Sequence, residues 1–348
     1  MNIYILNKAL EIIAVIDSYS SVIWTNRYFE CGDFELYLQV TPQLINTLQK
    51  DYYLVREGKE NNGMIIEYIE IGTDAEEGNY LLVKGRCLKS IVYRRIIWEQ
   101  TALNGKVETC INRLLNENLI NPRIPQRKID NFTIGSIIDT GKIMQSQYTG
   151  ANLGETITAI CQSFGLGWDV EIDIERKKFL FVLYSGVDRS YKQDVLPWVV
   201  FSNDYEDLLT TVYKYDNSNY SNVARIAGEG EGSARKIFTV GNSEGMERRE
   251  IFVDARDISS NDGELTDIEY YSQLEQRGIE KLAEQTDTES FEGETVDYTY
   301  KYGEDYYLGD IVEVVNEYGI SAETRVIGVI ESEDESGVYT IPTFSSYS

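Results

Sequence analysis

The first hundred residues alternate apolar and polar positions with a period of two. Phe34-Glu35-Leu36-Tyr37-Leu38-Gln39-Val40 is the clearest run, and strict alternation marks a strand with one buried face. Short strands are expected over 3–40, then at Tyr52–Val55, Gly63–Ile71 and Tyr80–Gly85. Thr41 before Pro42 has the form of an N-cap followed by proline at the first helical position, which predicts a short helix ending near Leu48. An acidic turn, Thr73-Asp74-Ala75-Glu76-Glu77-Gly78, separates the last two strands. The pattern predicts a small antiparallel barrel or sandwich over 1–100.

The period then changes. Val107, Cys110, Ile111, Leu114 and Leu115 fall on one helical face. Residues 120–150 are rich in loop signals, including Pro122 and Pro125. Asn152 with Glu155 resembles a capping box, Leu153, Ile157, Ile160, Cys161 and Phe164 form the apolar face of the helix it opens, and Gly165 closes that helix. Trp168, Val170 and Ile172 alternate, Asp173–Lys177 turns, and Phe179–Tyr184 returns. Residues 101–197 therefore read as an α+β unit. Strands resume at Trp198–Phe201, Leu208–Tyr215, Asn222–Gly228 and Lys236–Val240. Thr266 and Glu269 form a capping box for a helix to about Glu284, with Ile268, Tyr271, Leu274, Gly278, Ile279 and Leu282 on its apolar side. A meander closes the chain: Ile311–Val315, a turn at Asn316–Gly319, Thr324–Glu331, a turn at Asp334–Gly337, and Tyr339–Phe344.

A weak internal repeat accompanies this pattern. Asp51-Tyr52-Tyr53-Leu54 recurs as Asp305-Tyr306-Tyr307-Leu308. Each copy is followed by an apolar strand ending in Ile-Glu (Ile69-Glu70 and Ile330-Glu331), an acidic turn, and glycine shortly before tyrosine. Either the tetrapeptide recurs by chance in a tyrosine-rich chain, or the chain holds two related barrels, one at each end, separated by α+β material; three such chains in a ring would present six similar units.

Composition mainly removes options. The length of 348 residues suits two to three domains. No apolar run approaches the ~18 residues of a membrane span, and Met1-Asn2-Ile3-Tyr4-Ile5-Leu6-Asn7-Lys8 has none of the parts of a secretory signal. The chain contains no histidine, which excludes Ser-His-Asp and Cys-His catalysis and imidazole zinc sites. Cys31, Cys87, Cys110 and Cys161 form no CxxC pair and are expected to be buried, reduced thiols. The 58 acidic and 32 basic residues give a net charge of −26. Residues 241–348 hold 27 acids and 7 bases, so most of the excess lies there. Such a surface repels phosphate, and specific nucleic-acid binding is not expected.

Candidate chemical motifs are few. Gly228-Glu229-Gly230-Glu231-Gly232-Ser233 is glycine-rich but has no following GK[ST], and its glutamates oppose phosphate, so a turn is expected. Asp204 with Glu206 and Asp207, and Glu333-Asp334-Glu335, are acidic clusters of the kind that solvated surfaces also carry. Lys84, Arg86, Lys89, Arg94 and Arg95 form a basic stretch suited to an acidic neighbour or to a solvated strand face. Asn131-Phe132-Thr133 and Asn219-Tyr220-Ser221 match a glycosylation pattern that means nothing without secretion. No catalytic, cofactor-binding or metal-binding residue is assigned, and no enzyme activity is expected.

Several segments, in this order, resemble one family. Ser21-Val22-Ile23-Trp24-Thr25-Asn26-Arg27-Tyr28 leads into Gly32-Asp33-Phe34-Glu35-Leu36, and Gly85-Arg86-Cys87-Leu88 into Arg94-Arg95-Ile96-Ile97-Trp98. Ala227 to Arg235, Arg248-Arg249-Glu250-Ile251-Phe252-Val253-Asp254-Ala255-Arg256-Asp257, Leu308-Gly309-Asp310-Ile311-Val312 and Pro342-Thr343-Phe344 follow. Together they resemble the tail-hub or baseplate-hub proteins of tailed phages and prophages of Gram-positive bacteria. The resemblance implies a mainly β fold with α+β insertions: two tube-like antiparallel β-barrels plus two smaller inserted domains. On that plan 1–100 is the first barrel, 101–197 the α+β domain, 198–240 with 295–348 the second barrel, and 241–294 an inserted helix-containing domain. It further implies a virion component assembled in the bacterial cytoplasm. There a homotrimeric ring joins the hexameric tail tube to the baseplate or tail tip, and the acid excess adds the expectation of an acidic central conduit. Partners would be a tail tube or distal tail protein, a tape measure protein, and spike or baseplate proteins. With the last barrel reaching Ser348, the C-terminal peptidase or glycan-cleaving domain of larger relatives is not expected. Two other readings stand beside this one: a carbohydrate- or protein-binding module, for which tyrosine content argues, and a carboxylate-based glycoside hydrolase.

Overall fold

A computed structural model of the chain describes residues 1–74, 78–202, 208–286, 288–295, 300–315 and 321–345. The N-terminal part contains β1 (Ile3–Leu6), β2 (Ile12–Ile16), β3 (Ser21–Arg27), β4 (Asp33–Gln39), α1 (Pro42–Thr47), β5 (Tyr53–Arg56), β6 (Lys59–Asp74), β7 (Gly78–Cys87) and α2 (Ser90–Tyr93). The Thr41 side chain caps α1 by accepting from the Leu44 amide, as the sequence predicts. The alternation of β4 is realised: Phe34, Leu36 and Leu38 are buried, while Asp33, Glu35 and Tyr37 are half-buried and Gln39 is exposed.

The α+β unit follows with β8 (Thr101–Lys106), α3 (Val107–Leu115), β9 (Phe132–Ile137), β10 (Ile143–Tyr148), α4 (Leu153–Phe164), β11 (Gly167–Asp173) and β12 (Lys178–Tyr184). A π-helical turn, Asn116–Ile120, extends α3. The stretch 120–150, which reads as loop, contains β9 and β10. Ser146 and Gln147 of β10 are fully buried, so polarity there conceals burial. Asn152 caps α4 by accepting from the Gly154 and Glu155 amides, and Gly165 ends it in the left-handed conformation that glycine adopts freely. Three strands of this unit form a sheet in the order β11-β12-β9, and β8 pairs with β10.

The C-terminal half contains β13 (Val200–Ser202), β14 (Leu208–Asp216), β15 (Val223–Ala227), β16 (Ile237–Val240), β17 (Glu250–Asp254), α5 (Asp267–Ala283), β18 (Thr288–Thr295), β19 (Ile311–Val315), β20 (Ser321–Asp334) and β21 (Gly337–Ser345). Strands β15 and β16, grouped by sequence with the second barrel, pair with each other and with β17, giving a small sheet ordered β16-β15-β17. Helix α5 covers that sheet through Tyr270 and Leu274, which pack with Ala224, Ile226 and Val253. The helix also contacts β10 and α4, so it buries two sides. Its buried positions are therefore Tyr270, Gln273, Leu274, Gln276, Gly278 and Glu280. Ile268, placed by sequence on the apolar side, is 80% exposed.

The fold is mainly β, built from several sheets. Thirteen strands form one sheet along the path β14-β18-β21-β20-β3-β4-β7-β6-β5-β1-β2, with β19 and β13 branching from β20. The two tube-like barrels implied by the resemblance are not resolved as closed units: among the described residues no pairing joins the two ends of this path. The N-terminal and C-terminal β-units are instead fused edge to edge. The α+β unit is not separate from them, because Leu6, Val55, Ile65 and Leu88 share a core with α3, α4, β11 and β12.

Candidate assembly site: the joint between the two β-units

The fusion runs along β3 and β20, which pair antiparallel from Gly328↔Arg27 to Asp334↔Ser21. A buried polar network pins this seam. Glu331 of β20 accepts from Arg56 Nη2 at 2.7 Å and from Lys59 Nζ. Arg56 has a side chain only 2% exposed and lies 4.6 Å from the centroid of the Trp24 ring. Trp24 donates its indole N–H to Asn62 at 2.7 Å, and Asn62 donates to Asn26 at 3.0 Å. Burial alone would raise the Glu331 carboxyl, but the Arg56 and Lys59 cations beside it hold it below the ordinary carboxylate range.

Tyr28, just beyond β3, locks three parts together. Its ring is fully buried, and its hydroxyl donates to Gly165 O at 3.1 Å and accepts from the Gly186 amide at 3.3 Å. Gly167 of the α+β unit and Gly309 of the C-terminal unit line the slot; a Cβ on either would lie 2.2 or 2.3 Å from the Tyr28 ring. Lys89, 1% exposed, donates to the carbonyls of Arg27, Tyr28 and Glu30 and so fixes the same turn. A second joint holds α5 to β10: Tyr148 donates to the buried Glu280 at 2.5 Å, and Arg277 binds Asp257 and the Gln147 carbonyl. Burial pushes the Glu280 carboxyl up despite the Tyr148 hydroxyl and the nearby Arg277 charge, which both act to lower it.

The sequence candidates fall as follows. Lys84 binds Glu35 at 2.8 Å, Arg86 binds Glu67 at 2.7 Å, and Arg94 binds Asp51 at 3.3 Å. With Lys89 capped by carbonyls and Arg95 bound to the Arg127 carbonyl, the basic stretch is partnered internally. The glycine-rich loop is a turn in which Glu229 accepts from the Ser260 amide and pairs with Lys236. Asp334 accepts from the Ser336 and Gly337 amides in the β20–β21 turn, and Glu333 pairs with the N-terminal ammonium group. Asp204, Glu206 and Asp207 lie outside the described residues, as do Ala75, Glu76 and Glu77 of the other acidic turn and the turn Asn316–Gly319. All four cysteines are free thiols; Cys87, Cys110 and Cys161 are buried, whereas Cys31 is half-buried with its sulfur 3.4 Å from that of Cys87. Its hydrogen bond to Cys87 and its burial both raise the Cys31 thiol, which disfavours a thiolate.

A cleft of about 840 Å³ opens beside the joint, lined by Asp169, Glu171, Tyr302, Asp310 and others. Burial raises both the Asp169 and Glu171 carboxyls. Asp310 is committed to structure: it accepts from the Val187 amide, Arg189 and the Tyr307 amide. Among the described residues no group of three or more cysteine, aspartate or glutamate side chains is arranged to hold a metal ion. No described helix is long and apolar enough to cross a membrane. Sequence reasoning missed Arg56, Glu331, Tyr28 and Glu280, whose partners lie far away along the chain.

Comparison with known proteins gives the same architecture. No curated protein matches the chain. Among solved structures, a tail protein from Neisseria meningitidis MC58 superposes with a TM-score of 0.62 at 13% identity, covering 99% of this chain and 96% of that one. The 43 kDa tail protein of prophage MuSo2 from Shewanella oneidensis gives 0.59 at 12% identity, covering 99% and 98%. Prophage tail protein gp18 from Listeria monocytogenes EGD-e gives 0.57 at 12% identity, covering 100% and 95%. At such identities the likeness carries the fold, and it spans nearly the whole chain. The model of the Siphovirus ReqiPepy6 Gp37-like proteins matches residues 2–344, and the chain belongs to that family.

Proposed function

We propose that this chain is a structural hub of a phage tail or tail-like particle. Three copies form a pseudo-sixfold ring that joins the hexameric tail tube to the baseplate or tail tip, with no enzymatic role. One observation carries the reading: the chain contains the same antiparallel meander twice. In β5-β6-β7 and again in β19-β20-β21, a short strand precedes a long one that turns back on a third. The long hairpins share a register irregularity, between Ile66 and Tyr68 in one and between Val326 and Gly328 in the other. Two like units per chain give six in a trimer, which matches a sixfold tube. Each unit would be a barrel segment completed by its neighbours.

The ring's bore is an acidic conduit that passes DNA without holding it. The net charge of −26, and the internal pairing of the 84–95 bases, support this reading. Phosphates held by lysine or arginine would stall through counterion release, whereas like charge keeps them off. Light scattering on the purified chain, alone and with its tail-tube partner, tests the ring, and three chains per particle are expected. A stable dimer or tetramer overturns it, and tight, salt-sensitive binding of duplex DNA overturns the conduit.

A further inference from the structure

The duplication has an unused half. In the C-terminal unit the outer edge of β20, from Gly328 to Asp334, is covered by β3. In the N-terminal unit the equivalent edge is the far part of β6. Backbone bonds from β5 and its lead-in reach only to Ile66, and beyond it, among the described residues, β6 pairs with β7 alone. At the other end of the sheet, the path stops on β14. Strand β14 stands to its unit as β3 stands to the first: β3 pairs β4, which pairs β7, while β14 pairs β18, which pairs β21.

The register can be walked residue by residue. Ile66 opposes Gly85, which opposes Phe34, which opposes Trp24. Val326 opposes Phe344, which opposes Phe291, which opposes Tyr213. Tyr213 is therefore the counterpart of Trp24, and Asp74 the counterpart of Asp334. The internal seam sets Glu331 against Trp24. Transferred to the unused edges, it sets Ile71 against Tyr213, Ile69 against Tyr215, and Glu70 against Lys214.

We infer that β6 of one copy, over Glu67–Asp74, pairs antiparallel with β14 of a second copy in this register. Two further observations support it. Ile71, Tyr68, Tyr215 and Tyr213 are 52%, 49%, 56% and 37% exposed in the single chain, whereas Trp24, at the same place in the internal seam, is fully buried. A long edge strand carrying exposed isoleucine and tyrosine is a surface that proteins ordinarily cover. The transferred register also sets a carboxylate opposite an ammonium group, a favourable cross-strand pair, and no like charges. The joint is head-to-tail, with a different surface on each partner, so it propagates until it closes.

The inference rests on the hub reading but fails separately from it. Two single variants, Ile71→Cys and Tyr213→Cys, are mixed under assembly conditions, with the tail-tube partner where needed, and treated with a short bis-maleimide. The mixture should give a covalent dimer, at least tenfold above either variant alone or the native chain, whose own thiols are controlled in this way. A chain carrying both substitutions should ladder up to a covalent ring. Ile71→Lys should abolish association while leaving the melting temperature of the single chain unchanged. If light scattering shows trimers but the mixed variants give no product above the controls, the hub stands and this edge pairing falls. If the chain stays monomeric under every condition and nothing cross-links, both fall.

Discussion

Replacing Glu331 by glutamine tests whether the seam is held by its buried charge network. The substitution keeps the shape and removes the charge that balances Arg56. Arg56 is 2% exposed, its Nε has no hydrogen-bond partner, and the charged group nearest its Nη2 is Glu331 at 2.7 Å. Breaking a buried pair by removing one partner costs about 3–5 kcal/mol, because the remaining charge is stranded out of water. Lys59, with 38% of its side chain exposed, can turn to solvent and adds little. The lower end, about 3 kcal/mol, is the reasonable figure. The loss is local, so whole-chain melting is a blunt instrument for a molecule with several cores. Hydrogen exchange of peptides covering β3 and β20 reports seam opening directly. At 1.36 kcal/mol per decade, their exchange should accelerate about a hundredfold, while peptides covering the β11–β12 hairpin stay unchanged.

The pH dependence carries a sign. Glu331 has a lowered carboxyl in the folded chain, so its contribution is complete above the unfolded carboxylate value of about 4.3 and fades as pH falls through the lower folded value. Native seam peptides should therefore exchange faster below about pH 4, and the glutamine variant should lack that step. The double variant Arg56→Met with Glu331→Met should recover much of the loss, since an apolar pair strands no charge. A change of less than threefold in exchange for Glu331→Gln would refute the argument.

Four further outcomes follow from the same geometry. Glu280→Gln should act in the opposite sense to Glu331→Gln: burial raises the Glu280 carboxyl, so the folded state binds the extra proton and loses stability as pH rises. Thermal scans should place the variant at or above the native chain at pH 7, with the gap closing toward pH 4. Gly309→Ala, with φ of 90° and its new Cβ 2.3 Å from the Tyr28 ring, should cost about 2 kcal/mol or more by chemical denaturation. Asn152→Ala removes the cap of α4 together with a bond to the Tyr93 carbonyl and should cost about 1–2 kcal/mol on the same measurement. EDTA should leave the melting temperature unchanged; a drop would point to carboxylate-bound Ca²⁺.

What was legible in the sequence was local. The alternation of β4, the proline-led start of α1, the asparagine and glycine that bracket α4, and the Thr266–Glu269 capping box all rest on contacts within a few residues, and all four are present. The seam was not legible, because Arg56 and Glu331 lie 275 residues apart and the pattern that contains Glu331 says nothing of a partner at Arg56. The buried face of α5 was misjudged for a related reason. A helix pressed between a sheet and a second unit buries Gln276 and Glu280, which periodicity assigns to solvent. In β10, Ser146 and Gln147 do the same for a strand.

The sequence repeat and the two like hairpins do not coincide residue by residue. Aligning the irregularities of the two hairpins puts Tyr53 of β5 against Ile311 of β19, since Tyr53 pairs with Ile65 and Ile311 with Arg325. The shared tetrapeptide would instead put Tyr53 against Tyr307, which precedes its strand. The Ile-Glu pairs also slip by one position, and in a strand such a slip exchanges the two faces. What the two units share is hydrogen-bond geometry, while their side chains differ. At the internal seam, Trp24 and Glu331 sit in a charge network that fixes one register for a joint made within the chain. At the equivalent places on the open edges stand Tyr213 and Ile71. At these two places apolar area, rather than a buried charge network, drives association from water, which suits a joint formed between separate copies.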